Sequence, residues 1–172
     1  ACHPHERGFG PLRPKELIII DIFPRVVKPG YFGDMTRTYL KGGASEAQQR
    51  LVRTVRTAQQ SATKVIRANV DGRLVHQAVT QCFAAAGYET KRGKTGSVGF
   101  FHGTGHGLGL AIHDPGRMAA TTPYPLKNGS VMTVEPGLYY PGLGGCRWED
   151  VVQVTATGTK ALSKHPYEWE LR

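Results

Sequence analysis

Five side chains of the types that bind metal ions are spread along the sequence, each in a distinctive local setting. They are Asp21 in IIIDIFP, Asp34 in GYFGDMTRTY, His106 in FHGTGHGLGL, Glu135 in MTVEPGLYY and Glu149 in GCRWEDVVQV. Four carboxylates and one imidazole suit two adjacent divalent cations, because carboxylates shared between the ions offset their mutual repulsion. The sequence therefore predicts a site for two metal ions, built from distant segments.

Each carboxylate also has an ordinary structural explanation. Asp21 interrupts an apolar run, where an unpaired carboxylate is costly to bury, although it could also cap a turn. Asp34 could cap the connection between two strands, and Glu135 could be an exposed turn residue. Glu149 could form a weak surface ion pair with Arg147. The joint occurrence of the acidic residues with a histidine, rather than any single residue, favours metal binding.

A glycine-rich stretch carries three of the seven histidines, His102, His106 and His113, within twelve residues. The first two have the spacing of the helical HxxxH zinc motif, but glycines at 103, 105, 107 and 109 are incompatible with a stable helix. The glycines instead allow the backbone to pass close to a neighbouring group. A lone histidine is more often a hydrogen-bonded structural residue, whereas this clustering favours a functional site.

Two predicted strands must bring the aspartates together. Leu17–Phe23 is apolar and β-branched, and Asp34–Leu40 is rich in Thr and Tyr, with a connection between them that contains Pro and Gly. We expect an antiparallel pair in which Asp21 and Asp34 point towards one place. The later strands are predicted to be Val98–Phe101, Gly109–Ile112, Ser130–Glu135 and Cys146–Thr155.

A helical hairpin is predicted between these two groups of strands. Ser45 and Gln48 form a capping box for the first helix, and Asp71 caps a second helix that ends at Gly87. Each helix has an apolar stripe that predicts core packing rather than a cofactor site. The stripes are Leu51, Val52, Val55, Ala58, Ala62, Val65 and Ile66, then Leu74, Val75, Ala78, Val79, Cys82 and Phe83. Helices segregated from mostly antiparallel strands indicate an α+β fold.

Composition indicates one globular domain, since 172 residues of which 40% are hydrophobic can build one substantial core. The net charge is +9, but the basic residues are scattered, so we expect no nucleic-acid partner. No apolar run is long enough to span a bilayer, so we expect no membrane partner. Cys2, Cys82 and Cys146 have no CxxC spacing, which favours a reducing compartment and a soluble, cytoplasmic protein.

The sequence resembles the C-terminal catalytic domain of the pita-bread metallopeptidases, a group that contains methionine aminopeptidase, aminopeptidase P and prolidase. The resemblance covers about Pro4 to Thr155 and rests on the ordered Asp, Asp, His, Glu, Glu set. The segments TRTY, HGTGHGLGL, EPGLYY and GCRWED are most similar to the proline-directed branch, Xaa-Pro aminopeptidase or Xaa-Pro dipeptidase. The resemblance implies a pita-bread fold and a peptide or dipeptide substrate with proline at the second position.

The resemblance also implies roles for the metal-binding residues. Asp21 would chelate one ion, and Asp34 and Glu149 would bridge both. His106 and Glu135 would complete the shell of the second ion, and Glu135 would act as the general base. A shell of oxygens with one nitrogen favours Mn²⁺, with Co²⁺ and Zn²⁺ as alternatives.

Four further positions are implied around the metal ions. His113 matches the histidine that contacts the substrate or stabilises the tetrahedral intermediate. Arg147 matches an arginine beside the metal centre and is also predicted to be catalytic. We further expect His102 and Tyr139 to help form the substrate pocket.

The start of the chain departs from the family pattern. His5 matches a second active-site histidine, with His3 as an alternative. The family domain begins with helices and a strand before this point, so we expect residues 1–172 to be a partial catalytic domain that lacks its N-terminal helices and forms a homodimer when complete. Asp21 and Asp34 are thirteen residues apart, which is longer than the usual hairpin of the group. A catalytically silent domain that binds peptides or protein partners is the alternative function.

Overall fold

The computed structural model of the protein describes residues 7–93 and 96–171. Strands β1 (Ile18–Ile22) and β2 (Met35–Lys41) form an antiparallel pair in which Asp21 lies opposite Thr36. The connection between them contains its own bridge between Arg25 and Phe32, so its extra length does not disturb this register. The predicted pairing of the two strands is confirmed.

Two helices follow, and both predicted caps are present. Helix α1 (Glu46–Val65) begins after Ser45, which forms the full capping box with Gln48. Helix α2 (Gly72–Ala85) begins after Asp71, whose carboxylate accepts from the backbone of the first turn. The apolar stripes pack into the core, except that Leu74 is 53% exposed and Ala78 is only half-buried and lies outside the core cluster.

The remaining strands are short. They are β3 (Lys91–Gly93), β4 (Gly96–Val98), β5 (Gly105–Gly107), β6 (Asp114–Met118), β7 (Val131–Val134), β8 (Gly137–Tyr140), β9 (Gly144–Arg147), β10 (Asp150–Val154), β11 (Thr159–Ala161) and β12 (Glu170–Leu171). Five of them form a sheet in the order β11-β10-β7-β5-β6. Strand β12 adds to β2 in parallel, and β3-β4 and β8-β9 form separate pairs. The antiparallel sheets and separate helices confirm the α+β class.

Three predicted strands differ from the structure. Gly109–Ile112 is a turn between β5 and β6, in which the backbone N–H of Gly109 donates to Ala111. The predicted strand Cys146–Thr155 is two strands, because Trp148 and Glu149 donate their backbone N–H groups to other segments. The strand predicted at 98–101 instead ends at Val98, before a glycine with φ of 87°.

The core lies between the helices and the sheets. Helix α1 contacts β7, β8 and β9, and α2 contacts β6, so both helices pack against strands. Leu51, Val55 and Met132 are fully buried in this layer. Neither helix in the described part of the chain combines the length and the apolar composition required to cross a lipid bilayer.

Candidate metal centre

Three of the predicted metal ligands converge in the structure. Donor atoms of Asp34, His106 and Glu149 all lie within 4.8 Å of one another. Asp34 directly precedes β2, His106 is the middle residue of β5, and Glu149 directly precedes β10. All three are at most 8% exposed. Strands from two different sheets therefore deliver an imidazole and two carboxylates to one buried point.

The ring of His106 is held in the orientation that a metal ligand needs. Its Nδ1 is 2.9 Å from the carbonyl oxygen of Gly107, which can only accept, so Nδ1 carries the proton. The lone pair of Nε2 is left facing the acidic residues, 3.7 Å from Asp34 Oδ2 and 3.5 Å from Glu135 Oε1. Burial lowers the pKa of His106, which favours the neutral ring that binds cations.

Glu135 and Glu149 are each oriented by a threonine. The hydroxyl of Thr133 donates to Glu135 Oε1 at 3.4 Å and accepts from the backbone N–H of His106 at 3.0 Å. The hydroxyl of Thr36 donates to Glu149 Oε2 at 2.6 Å, and the backbone N–H of Glu149 donates to the Thr36 carbonyl at 3.1 Å. Neither threonine was predicted as a site residue from the sequence, although Thr36 lies in the TRT segment of the predicted strand Asp34–Leu40.

Burial, and to a smaller extent repulsion between the carboxylates, disfavours the charged forms of Asp34, Glu135 and Glu149. Burial is the largest cause that raises the pKa of Asp34 to about 7 and of Glu135 to about 8. Burial also raises the pKa of Glu149 well above its usual range, with repulsion from Glu135 and Asp34 added. Such a cluster either takes up protons or gains a compensating cation. An oxygen-rich donor set with one neutral imidazole fits a hard or borderline divalent cation.

Asp21 lies beside this cluster and is paired with Arg147. The guanidinium Nη2 donates to Asp21 Oδ2 at 2.5 Å, and the side chain of Asp21 is 30% exposed. The negative charge of Asp21 still contributes to the raised pKa of Asp34. Arg147 and Glu149 are 1% and 2% exposed, so the alternative of an exposed surface pair between them is wrong.

A hydrogen-bonded network extends from Arg147 to a second histidine. Arg147 Nη1 donates to the hydroxyl oxygen of Tyr139 at 3.1 Å. His102 Nδ1 donates to the carbonyl oxygen of Gly103 at 2.8 Å, so its Nε2 accepts the Tyr139 proton at 2.9 Å. Burial raises the pKa of Tyr139, which keeps the phenol neutral as this network requires. The structure thus brings His102 and Tyr139 together with Asp21 through Arg147.

His113 is an exposed residue in contact with the cluster. Its ring centroid is 4.4 Å from that of His106, and the two rings are nearly perpendicular, at 84°. His113 lies at the end of the turn that leads into β6. The other predicted histidine, His5, and its alternative His3 lie outside the described residues.

Sequence comparisons connect the chain to a peptidase family. The model of metallopeptidase family M24 matches residues 1–156. The probable dipeptidase PepE of Mycobacterium tuberculosis is 33% identical over 157 residues, which cover 91% of this chain and 40% of that protein. The Xaa-Pro dipeptidase of Pyrococcus furiosus is 33% identical over 149 residues, which cover 87% of this chain and 40% of that protein.

Comparison with solved structures shows that the chain shares its fold with peptidases. The dipeptidase from Pyrococcus horikoshii OT3 has a TM-score of 0.88 and 35% identity over 100% of this chain and 46% of that chain. The X-Pro aminopeptidase from Thermotoga maritima MSB8 has a TM-score of 0.86 and 28% identity over 98% of this chain and 46% of that chain. The chain thus spans less than half the length of these relatives. The predicted pita-bread fold is confirmed, and the chain belongs to metallopeptidase family M24.

Proposed function

We propose that this chain carries the catalytic centre of a metal-dependent peptidase that hydrolyses the bond between an N-terminal residue and proline. The observation that carries the proposal is the buried convergence of donor atoms from Asp34, His106 and Glu149. Glu135 Oε1 lies 3.5 Å from Nε2 of His106, so Glu135 extends this donor set. We propose that these four residues and Asp21 hold two divalent cations, with Mn²⁺ favoured over Co²⁺ and Zn²⁺.

When bound, a pair of divalent cations makes water a better nucleophile at neutral pH and polarises the carbonyl that is attacked. The side chains of the site would handle the proton and the peptide. Glu135, with a raised pKa and a hydrogen bond from Thr133, is suited to take a proton from the attacking water and return it to the leaving amine. His113 is exposed beside His106 and would contact the substrate carbonyl oxygen.

The residues around Arg147, beside the candidate metal ligands, would form the substrate pocket. Arg147 fixes Asp21 by an ion pair and fixes Tyr139 by a hydrogen bond, and Tyr139 in turn orients His102. These rings lie next to Phe101, whose centroid is 5.3 Å from that of Tyr139. The rings of Phe101 and His102 are half-buried and suit contact with a proline ring, whereas the fully buried Tyr139 supports them from behind. The tertiary amide of proline offers no N–H that an ordinary peptidase could bind. The relatives named Xaa-Pro dipeptidase and X-Pro aminopeptidase support this specificity.

Peptide hydrolysis tests the proposal directly. The metal-free protein, reloaded with Mn²⁺, should hydrolyse Xaa-Pro dipeptides or longer Xaa-Pro peptides, and matched Xaa-Ala peptides should react far more slowly. Comparing the two peptide lengths distinguishes a dipeptidase from an aminopeptidase. A folded protein that binds Mn²⁺ and cleaves neither length would instead support a silent domain that binds peptides.

The state of the protein in the cell is a further part of the proposal. Cys82 and Cys146 are free thiols, which suits a reducing compartment, so we propose a cytoplasmic location. The family resemblance leads us to propose a homodimer. Cell fractionation and sedimentation equilibrium would test these two points separately.

A further inference from the structure

A buried arginine holds the backbone that carries Glu149. Arg37 lies on β2 and is 2% exposed. Its Nη1 donates to the carbonyl oxygen of Glu149 at 2.6 Å and to that of Thr36 at 3.0 Å. Thr36 is also the residue that orients the Glu149 carboxylate. Arg37 Nη1 therefore holds the main chain at both Thr36 and Glu149, the two residues whose side chains are hydrogen-bonded to each other.

The charge of this arginine is balanced by the residue next to Glu149. Arg37 Nη2 donates to Asp150 Oδ1 at 2.7 Å. The other oxygen of Asp150 accepts from Gln59 Nε2 and from the hydroxyl of Tyr167, both at 2.8 Å. Asp150 is 7% exposed, and these hydrogen bonds occupy both of its oxygens. Asp150 therefore anchors Arg37 and the start of β10.

The C-terminal segment, defined here as residues 163–171, closes over Arg37. It lies beyond residues 1–156, which the family model matches. The carbonyl oxygen of His165 accepts from Arg37 Nη2 at 3.2 Å. The ring of Tyr167 lies 4.9 Å from the guanidinium carbon of Arg37 and stacks on Trp148, with centroids 5.9 Å apart. The segment then pairs with β2 through β12.

We infer that Arg37 is a positioning residue for the metal ligand Glu149 and that Tyr167 of the C-terminal segment holds Arg37 in place. The inference rests on the proposed metal centre. A metal site tolerates displacements of only about 0.5 Å in its ligands, and the residues that orient those ligands control affinity. Arg37 positions Glu149 by its hydrogen bond to the Glu149 carbonyl oxygen. Tyr167 positions Arg37 by its hydrogen bond to Asp150 and by the contact of its ring with the guanidinium face.

Lysine at position 37 separates charge from geometry. Arg37→Lys keeps the positive charge near Asp150 but cannot donate from a planar fork to several acceptors at once. Arg56→Lys is the matched control, because the Arg56 guanidinium lies 4.6 Å from the Tyr167 ring and 5.6 Å from the Trp148 ring. Among the described residues, Arg56 makes no hydrogen bond to Glu149 or Asp150.

The experiment measures Mn²⁺ binding to the metal-free protein by isothermal titration calorimetry. Arg37→Lys should weaken Mn²⁺ binding about tenfold or more, the range expected for residues that orient metal ligands. Arg56→Lys should stay within about twofold of the wild type. At limiting Mn²⁺ the peptidase activity of Arg37→Lys should fall, and excess Mn²⁺ should restore it. A purely structural role would lower the unfolding temperature of the metal-free protein and leave the Mn²⁺ dissociation constant unchanged.

The failures are distinguishable. A wild-type protein that binds no Mn²⁺ would overturn the proposed metal centre, and the positioning role with it. A wild type that binds Mn²⁺, with Arg37→Lys equal to it or both lysine variants equally weakened, would overturn the positioning role alone. If Arg37→Lys does not fold, Tyr167→Phe decides, because it keeps the stacked ring and removes only the bond to Asp150. Mn²⁺ binding weakened about threefold or more supports the role, and unchanged binding refutes it.

Discussion

Replacing Thr36 with valine removes the two hydrogen bonds of its hydroxyl group, one of which orients the candidate metal ligand Glu149. The Thr36 hydroxyl donates to Glu149 Oε2 at 2.6 Å and accepts from Arg147 Nε at 3.3 Å. Thr36 and Glu149 are 0% and 2% exposed, so no solvent water can replace the donor. Valine has nearly the shape of threonine, and the substitution therefore leaves a carboxylate oxygen without its partner rather than opening a cavity.

The size of the effect follows from the charge of the acceptor. The Thr36 hydrogen bond lowers the pKa of Glu149, against the burial and the repulsion that raise it. It thereby favours the ionised carboxylate that binds cations. A hydrogen bond to a charged group contributes about 1.5–3 kcal/mol. Since about 1.4 kcal/mol corresponds to a factor of ten in affinity, Thr36→Val should weaken Mn²⁺ binding about 10- to 100-fold.

Calorimetric titration of the metal-free variant with Mn²⁺ measures this loss. Thr38→Val is the matched control, because Thr38 lies on the same strand and is also fully buried. Its hydroxyl donates to the carbonyl oxygen of Arg147 at 2.9 Å and accepts from the backbone N–H of Arg147 at 3.0 Å, so it touches no candidate ligand. Equal Mn²⁺ affinities for the two variants would refute the reasoning.

Three further predictions concern the fold and the chemistry. Gly105→Ala should lower the free energy of unfolding in urea by about 3 kcal/mol or more, because the new Cβ would overlap a carbonyl oxygen of β7. The control Gly43→Ala places its Cβ in open space and should change stability little, so equal effects of the two substitutions would contradict this prediction. The ion pair with Arg73 and the helix cap lower the pKa of Asp71 to about 2. The stabilisation by its negative charge is therefore present above about pH 4 and is lost as the pH falls towards about 2. Asp71→Asn keeps the cap, so its difference in unfolding temperature from the wild type should shrink between pH 6 and pH 3, and a constant difference would argue against the ion pair. His113→Ala should retain Mn²⁺ binding and lose turnover about 100-fold, and unchanged kcat would remove it from catalysis.

The elements with strong local signals could be predicted from the sequence. The capping residues Ser45 and Asp71 mark both helices, and the apolar run that ends near Phe23 marks β1. The strand that carries His106 could not, because it reads Gly-His-Gly and has no intrinsic strand preference. Its formation depends on the close approach of β7 and of the β6 backbone, which only glycine at positions 105 and 107 permits.

The candidate site shows a similar division. Residue type and local context were enough to select Asp34, His106 and Glu149, which the structure brings together. The residue that orients the Glu149 carboxylate, Thr36, lies more than one hundred residues away in the sequence. No local pattern encodes such a pairing. The ion pair of Arg147 with Asp21 was missed for the same reason.

Strand β2 carries three consecutive buried polar residues. Thr36, Arg37 and Thr38 are 0%, 2% and 0% exposed, so both faces of the strand are covered. The two threonines point towards Glu149 and Arg147, whereas the arginine between them points towards Asp150 and the C-terminal segment. Because side chains alternate along a strand, a shift of one residue in the pairing of β2 would exchange these faces and break both sets of contacts. The register of this one strand therefore fixes both the position of the candidate ligand Glu149 and the packing of the C-terminal segment.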